Sequence, residues 1–310
     1  MTSNDVDALR LRYEENAALL AANPDLELPL MRALLEEIHR CAAEPRDVSY
    51  DEVVAGGRPA LWCLPANAEP ERVLLYFHGG GFVLQSMHSH RKLAGHLAHA
   101  AGARCLVLDY RQAPAHPFPA QLEDAVGACH WLLDQGVRPE NVVLAGDSAG
   151  ANLAVATVLR LRELGDPQPA AVACLSPWFD MECDGPTLER NAGKDALVTR
   201  DLLAQMAALY LGPEGSATDP LANPLHADLS GFPPVYLCAG SDEALLDNGE
   251  RFADRARSAG VDVRLDVVPG QQHVFVFMAG RAQAADSTIA AVAAWMAPKF
   301  GRATAPSVGV

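Results

Sequence analysis

A serine stands between two glycines where an apolar run meets an alanine-rich run. Residues 141–154 read NVVLAGDSAGANLA, with Ser148 between Gly146 and Gly150. Glycine permits a tight strand-to-helix turn and serine is a common helix N-cap, so a purely structural turn is one interpretation. In the other, Ser148 is a nucleophile held on a strained elbow of the G-x-S-x-G type. That chemistry also requires a base, an acid and an oxyanion hole.

The candidate base follows from the order of residues along the chain. Eight of the ten histidines precede Ser148, and only His226 and His273 follow it. Sites built on a G-x-S-x-G turn have the chain order serine, acid, histidine. His273 comes directly after the last strand-like run, whereas His226 lies in the segment ANPLHADL, away from any predicted strand end. His273 is therefore the predicted base.

The candidate acid lies in the segment SDEALLD, residues 241–247, after another apolar run. It offers Asp242, Glu243 and Asp247. We expect Asp242 to be the acid because it is closest to the strand end, with Glu243 as the second choice. Glu243 and Asp247 also fit the first turn of a following helix, where acidic residues interact favourably with the helix dipole.

The segment HGGGF, residues 78–82, also follows an apolar run. Glycines let the main chain direct its amides towards a substrate, and such amides stabilise the oxyanion of acyl-transfer intermediates. The predicted donors are Gly80, Gly81 and Ala149. An ordinary flexible turn is the alternative. Four further residues are candidates for lining a substrate pocket: Phe82 and Val83 after the glycines, and Trp178 and Phe179 after the sixth apolar run. Packing in the core is the alternative for Trp178 and Phe179.

Alternating strand and helix patterns predict how these residues are positioned. Eight short apolar runs lie at 48–54, 60–66, 72–80, 103–111, 141–147, 170–178, 233–240 and 263–270, with helical patterns between the later runs. This alternation predicts an α/β fold with a mainly parallel sheet and helices on both faces. Two N-terminal helical segments and residues 180–230 stand outside the alternation. We predict that residues 1–45 and the insertion at about 180–230 form a helical cap on a catalytic domain spanning 46–310.

Charge and cysteine content limit the kinds of molecule that the protein is expected to bind and the compartment in which it is expected to work. The 310 residues carry 24 Lys and Arg against 39 Asp and Glu, a net charge of −15. Nucleic acid and anionic membranes are therefore poor partners, and neutral small molecules fit this field better. Seven cysteines without a C-x-x-C pair predict a reducing compartment and no zinc site. The N-terminus lacks the features of a signal peptide, so we expect a cytoplasmic protein.

Five motifs together resemble those of the hormone-sensitive-lipase-like carboxylesterases, α/β-hydrolases of the bacterial HGGG class. They are HGGGF at 78–82, DYRQAPAHPFPA at 109–120, GDSAGANLA at 146–154, SDEALLD at 241–247 and QQHVF at 271–275. The resemblance implies the α/β-hydrolase fold with an eight-stranded sheet and a helical cap, no metal or organic cofactor, and a homodimer. It also implies that Ser148, Asp242 and His273 are catalytic.

Two departures from the family pattern stand out. YRQAPA at 110–115 replaces the common YRLAPE, and Asp242-Glu243-Ala244-Leu245 replaces the common Asp-Pro-Leu. The second variant is similar to that of a subgroup that includes monoterpene ε-lactone hydrolases.

Taken together, the motifs predict a serine hydrolase of short- to medium-chain neutral carboxylic esters that acts through an acyl-enzyme. A lactone hydrolase with the same three residues is the first alternative. A non-catalytic protein that binds a small ligand on the same fold is the second, although the presence of His273 argues against it. An amidase or a thioesterase would use the same acyl-transfer chemistry.

Overall fold

A computed structural model describes residues 4–23 and 25–301. The ends of the two predicted domains, residues 1–3 and 302–310, lie outside the described residues. The strands are β1 (Val48–Ala55), β2 (Arg58–Pro65), β3 (Glu69–Phe77), β4 (Ala103–Leu108), β5 (Val142–Asp147), β6 (Ala171–Leu175), β7 (Val235–Gly240) and β8 (Val263–Val268). The helices are α1 (Asn4–Ala22), α2 (Leu28–Glu36), α3 (Met87–Ala101), α4 (Ala120–Asp134), α5 (Ala149–Leu164), α6 (Thr187–Arg190), α7 (Arg200–Leu211), α8 (Leu246–Ser258) and α9 (Gln283–Met296).

The strands form one sheet in the order β1-β2-β4-β3-β5-β6-β7-β8. Strand β2 runs antiparallel to both of its neighbours, β1 and β4, and every other neighbouring pair is parallel. The predicted eight-stranded, mostly parallel sheet is therefore confirmed. The carboxyl ends of β3, β5, β6, β7 and β8 lie along one edge, which is where ligands bind in open parallel sheets.

Residues 73–77 of strand β3 show why the second half of this strand is apolar. Its side chains alternate between two cores, with Leu75 and Phe77 in one core and Leu74 and Tyr76 in the other, and all four are fully buried. The first core includes residues of α4 and α5, and the second includes residues of α3 and α9. Because the strand is covered on both faces, it lacks the polar alternation of a half-exposed strand.

Helix α3 begins at a capping box that fixes the turn before it. The Ser86 hydroxyl accepts a hydrogen bond from the amide of His88 at 3.0 Å, and the Ser86 amide donates to Ser89 Oγ at 2.9 Å. These bonds satisfy amides that a helix N-terminus otherwise leaves without partners. The helix consequently holds His90, in its first turns, against the end of β3.

The segments predicted to form a cap contain α1, α2, α6 and α7. Helix α2 stops at Glu36, and the chain continues as a 3₁₀ turn, Glu37–Cys41. The division into a cap and a catalytic domain stays a prediction. Among the described helices, none is both long enough and apolar enough to span a bilayer.

Candidate active site

Ser148 occupies the sharp turn between β5 and α5. Its backbone has φ 51° and ψ −120°, a region that residues other than glycine rarely adopt. The turn is held by its own main chain: the Ser148 amide donates to Leu175 O at 2.9 Å, and the Trp178 amide donates to Ser148 O at 3.1 Å. Gly150 is required here because a Cβ at that position would collide with Phe77 O. The geometry is that of a strained strand-turn-helix elbow.

His273 reaches Ser148 from the loop that follows β8. Its Nε2 lies 3.0 Å from Ser148 Oγ, and its Nδ1 lies 3.0 Å from Glu243 Oε2. His273 and Glu243 are both buried. A hydroxyl, an imidazole and a carboxylate in this sequence of contacts can transfer the hydroxyl proton to the ring and stabilise the charged ring that results.

The prediction that Asp242 is the acid is wrong in this geometry, because Glu243 contacts His273 instead. After β7 ends at Gly240, the Asp242 side chain turns to the half-exposed rim, where it accepts a hydrogen bond from Ser241 Oγ at 3.2 Å. The next side chain, Glu243, turns inward. Its Oε1 accepts from Ser176 Oγ at 2.7 Å and from the Gly240 amide, so both of its oxygens are engaged.

The buried pair has perturbed protonation equilibria. Burial by itself lowers the pKa of His273, but the hydrogen bond and the negative charge of Glu243 outweigh burial and raise it above its ordinary value. Burial raises the pKa of Glu243, and the hydrogen bonds and charge of its neighbours oppose that rise. Glu243 therefore stabilises the protonated ring that forms when His273 takes a proton.

The predicted oxyanion donors face no competing acceptor. The amides of Gly80, Gly81 and Ala149 make no hydrogen bond with another residue in the two described stretches of chain. Gly80 has φ 98° and Gly81 has φ 64°, and this positive range favours glycine. Ala149 is the first residue of α5, where an amide has no partner within the helix. Free amides beside a nucleophile are suited to binding an oxyanion.

A buried carboxylate next to the nucleophile supports the glycine loop. Asp147 Oδ1 accepts from Tyr76 Oη at 2.7 Å and from the Gly79 amide at 3.2 Å, while its Oδ2 lies 3.2 Å from His90 Nε2. Burial alone would raise the pKa of Asp147, but its interactions with His90 and Tyr76 lower it. The carboxylate thereby ties the HGGG loop to the turn that carries Ser148.

Sequence reasoning missed His90 and Ser176, which hold these two carboxylates. Ser176 was detectable, since it follows β6 at the same sheet edge as the other site residues. His90 gave no signal, because it lies one turn inside a helix.

A cavity of about 430 Å³ lies over Ser148 and His273. Its wall is mostly apolar and comes from α1, α2 and α7 as well as from the loops at the sheet edge. Met206 of α7 packs against the oxyanion loop: a Cβ at Gly81 would stand 3.2 Å from Met206 Cγ. The described residues that line the cavity include neither Lys nor Arg.

Of the four predicted pocket residues, only Trp178 lines this cavity. Phe82 is fully buried and stacks on Tyr210 with ring centroids 3.8 Å apart. Phe179 packs on Phe252 at 4.7 Å, and Val83 belongs to a small buried cluster beneath the oxyanion loop. The predictions for Phe82, Val83 and Phe179 are therefore wrong, because each side chain is taken up by packing.

The other histidine weighed as a base lies elsewhere. His226 is exposed, and its Nε2 is 2.7 Å from Glu182 Oε2. Within residues 4–23 and 25–301, no cluster of three or more His, Cys, Asp and Glu side chains could hold a metal ion.

Comparison with known proteins gives a consistent family. Residues 74–277 match the family described by its alpha/beta hydrolase fold. An acetyl-hydrolase of Streptomyces hygroscopicus is 41% identical over a 275-residue alignment that covers 82% of this chain and 90% of that protein. The carboxylesterase NlhH of Mycobacterium tuberculosis is 32% identical over a 248-residue alignment that covers 75% of each chain.

Solved structures agree with this comparison. The crystal structure of an esterase from the bacterial hormone-sensitive lipase family superimposes with a TM-score of 0.92 at 39% identity, covering 97% of this chain and 100% of that one. EstE5, in a crystal soaked with p-nitrophenyl butyrate, superimposes with a TM-score of 0.89 at 33% identity, with the same coverage.

The chain belongs to the alpha/beta hydrolase family, and its relatives place it among the hormone-sensitive-lipase-like carboxylesterases. It is a hydrolase, and its esterase and acetyl-hydrolase relatives support carboxylesterase activity. The resemblance inferred from the five motifs is thus confirmed at the level of the family. The narrower likeness to lactone hydrolases gains no support from these relatives.

Proposed function

We propose that the protein hydrolyses short- to medium-chain neutral carboxylic esters with Ser148 as nucleophile, His273 as base and Glu243 as acid. The observation that carries the proposal is the continuous chain of contacts, with 3.0 Å from Ser148 Oγ to His273 Nε2 and 3.0 Å from His273 Nδ1 to Glu243 Oε2.

The reaction follows from these contacts. Ser148 Oγ bonds to the ester carbonyl carbon as its proton moves to His273 Nε2, and the amides of Gly80, Gly81 and Ala149 stabilise the oxyanion. The alcohol leaves with the proton from His273, and an acyl group remains on Ser148. A water molecule then gives a proton to His273 as its oxygen bonds to the acyl carbon. The bond from that carbon to Ser148 Oγ breaks, Ser148 takes the proton back from His273, and the carboxylic acid is released.

The cavity supports the choice of substrate class. A mostly apolar space of about 430 Å³ fits a small ester, and the absence of Lys and Arg from its described lining favours neutral esters. We propose that α1, α2 and α7 act as the cap that encloses this space. A cytoplasmic location remains part of the proposal, and it is supported by seven cysteines that are all free thiols in the described chain.

The test is hydrolysis of p-nitrophenyl esters of increasing chain length and of ε-caprolactone, by the intact protein and by Ser148→Ala. We expect rapid turnover of the shorter esters, with kcat lower by roughly 10⁶ in the variant. Turnover of the lactone alone would contradict the ester proposal in favour of a lactone hydrolase. Equal turnover by both proteins would contradict the role of Ser148.

A further inference from the structure

One polar side chain on the wall of the cavity is buried and yet has no partner among the described residues. Asn16 of α1 lines the cavity that holds Ser148 and is only 8% exposed. Its carboxamide makes no hydrogen bond with any residue of the described chain. Since the carboxamide is not fully enclosed by protein atoms, it faces the open space of the cavity. Polar groups placed on a mostly apolar pocket wall commonly fix the orientation of a ligand. A ligand in the cavity would supply the missing partner.

The position of Asn16 is set by the helix that carries it. Tyr13, Asn16, Ala17 and Leu20 are spaced three or four residues apart, so they share one face of α1, and all four line the cavity. Tyr13 already donates its hydroxyl proton to His273 O at 2.8 Å. Asn16 lies one turn further along the same face, above the same site.

Neighbouring residues do not offer Asn16 an alternative role. Of the side chains contributed by α7, Leu203 and Met206 have no group able to pair strongly with an amide, and Gln205 is exposed and makes no hydrogen bond to Asn16. Two other polar residues of the wall are engaged by their own surroundings: Thr199 Oγ1 accepts from the Leu202 amide, and Asn23 donates to Leu19 O. Asn16 is thus an unengaged amide in a wall that is otherwise mostly apolar.

We propose that Asn16 determines specificity by hydrogen-bonding to an uncharged polar group of the substrate, such as a keto, ether or hydroxyl oxygen. The preferred substrates are then neutral esters that carry such a group on their acid or alcohol part, rather than plain hydrocarbon esters. This inference rests on the proposed esterase function, and it adds a substrate class to it.

The test compares substrates of equal shape. On the acid side, p-nitrophenyl levulinate has a keto group where p-nitrophenyl isocaproate has a branched hydrocarbon. On the alcohol side, acetonyl butyrate and isobutyl butyrate differ in the same way. The ratio of kcat/KM within each pair is measured for the intact protein and for Asn16→Leu. Comparing these ratios between proteins cancels the intrinsic reactivity of the esters.

We expect the preference for the polar member to fall by about tenfold in Asn16→Leu for at least one pair, the effect of losing one good hydrogen bond. Asn67→Leu, the same change at an exposed position outside the cavity lining, is the matched control and should leave both ratios unchanged. Asn16→Ala gives the same comparison with a smaller side chain if the leucine is poorly accommodated. The thermal midpoint without substrate should stay about the same in Asn16→Leu, because no hydrogen bond within the described chain is removed.

Ratios that are unchanged in both pairs, in an active enzyme, would overturn this inference and leave the proposed function standing. A lower thermal midpoint with unchanged ratios would assign Asn16 a structural role, which also overturns it. Failure of the intact protein to hydrolyse any of these esters or p-nitrophenyl butyrate would overturn the proposed function together with this inference.

Discussion

The carboxylate that contacts His273 belongs to the second of two adjacent acidic residues. Glu243 is fully buried and accepts hydrogen bonds from Ser176, Gly240 and His273, whereas Asp242 stands at the half-exposed rim. The position of the acidic residues in the sequence predicted the correct turn for the acid. It could not predict which of the two side chains faces inward. That choice depends on how the chain leaves Gly240 at the end of β7.

This difference gives a test at the level of single residues. Glu243→Gln should lower kcat by roughly 10²–10⁴, because an amide can hold the ring in the wrong tautomer and does not stabilise the imidazolium. Asp242→Asn, the adjacent control, should stay within about twofold of the intact protein, as expected for a change at the surface. Steady-state kinetics with p-nitrophenyl butyrate measures both. A larger loss in Asp242→Asn than in Glu243→Gln would restore Asp242 as the acid.

The protonation of His273 predicts a pH dependence. The ring must be neutral to accept the proton of Ser148, so kcat/KM should fall as the pH drops below its pKa. Interaction with Glu243 holds that pKa above its ordinary value, so the acidic limb of the profile should lie at a correspondingly higher pH. In Glu243→Gln the raising interaction is removed, and the limb should move to lower pH. A limb at the same pH in both proteins would show that another group titrates.

At the scale of elements, α1 is joined to the base by a single buried hydrogen bond. Tyr13 Oη donates to His273 O at 2.8 Å, and Tyr13 is 2% exposed. Tyr13→Phe removes this bond and leaves the carbonyl without that partner. We expect about 1–3 kcal/mol lower stability and a kcat lower by about threefold to tenfold, because His273 is held less firmly.

The matched control for this change is Tyr236→Phe in β7. It removes a hydrogen bond to Asp266 that is remote from the cavity. Chemical denaturation and steady-state kinetics of both variants separate the two effects. The control should lose stability without losing kcat, and equal losses of kcat in the two variants would show that the α1 contact does not position the base.

The elements themselves were largely readable from the sequence. Continuous apolar runs are typical of strands that are buried on both faces of a sheet, and this pattern predicted the strands. Ser148 and His273 each follow one of these runs in the chain order expected for a serine and its base, and this order predicted where they lie. The pocket residues could not be predicted from the sequence, because contacts with residues distant in the chain determine where each side chain points. Phe82 stacks on Tyr210 in α7, and no local pattern connects these two residues.

At the scale of the whole molecule, the net charge of −15 acts together with a cavity whose described lining contains no Lys or Arg. An anionic ester should therefore be repelled from the site and find no cation within it. We expect kcat/KM for p-nitrophenyl hemisuccinate to be at least about tenfold below that for p-nitrophenyl valerate at low salt. The gap should narrow as salt screens the repulsion. Equal values at low salt would contradict this electrostatic selection.

The central claim is that Ser148 forms an acyl-enzyme with the substrate. The most direct measurement is rapid quenching of the reaction with p-nitrophenyl butyrate, followed by mass analysis of the peptides. The predicted result is a butyryl group on the peptide that contains Ser148, with no label on that peptide in Ser148→Ala. A butyryl group on a different residue, or full turnover by Ser148→Ala, would contradict the claim.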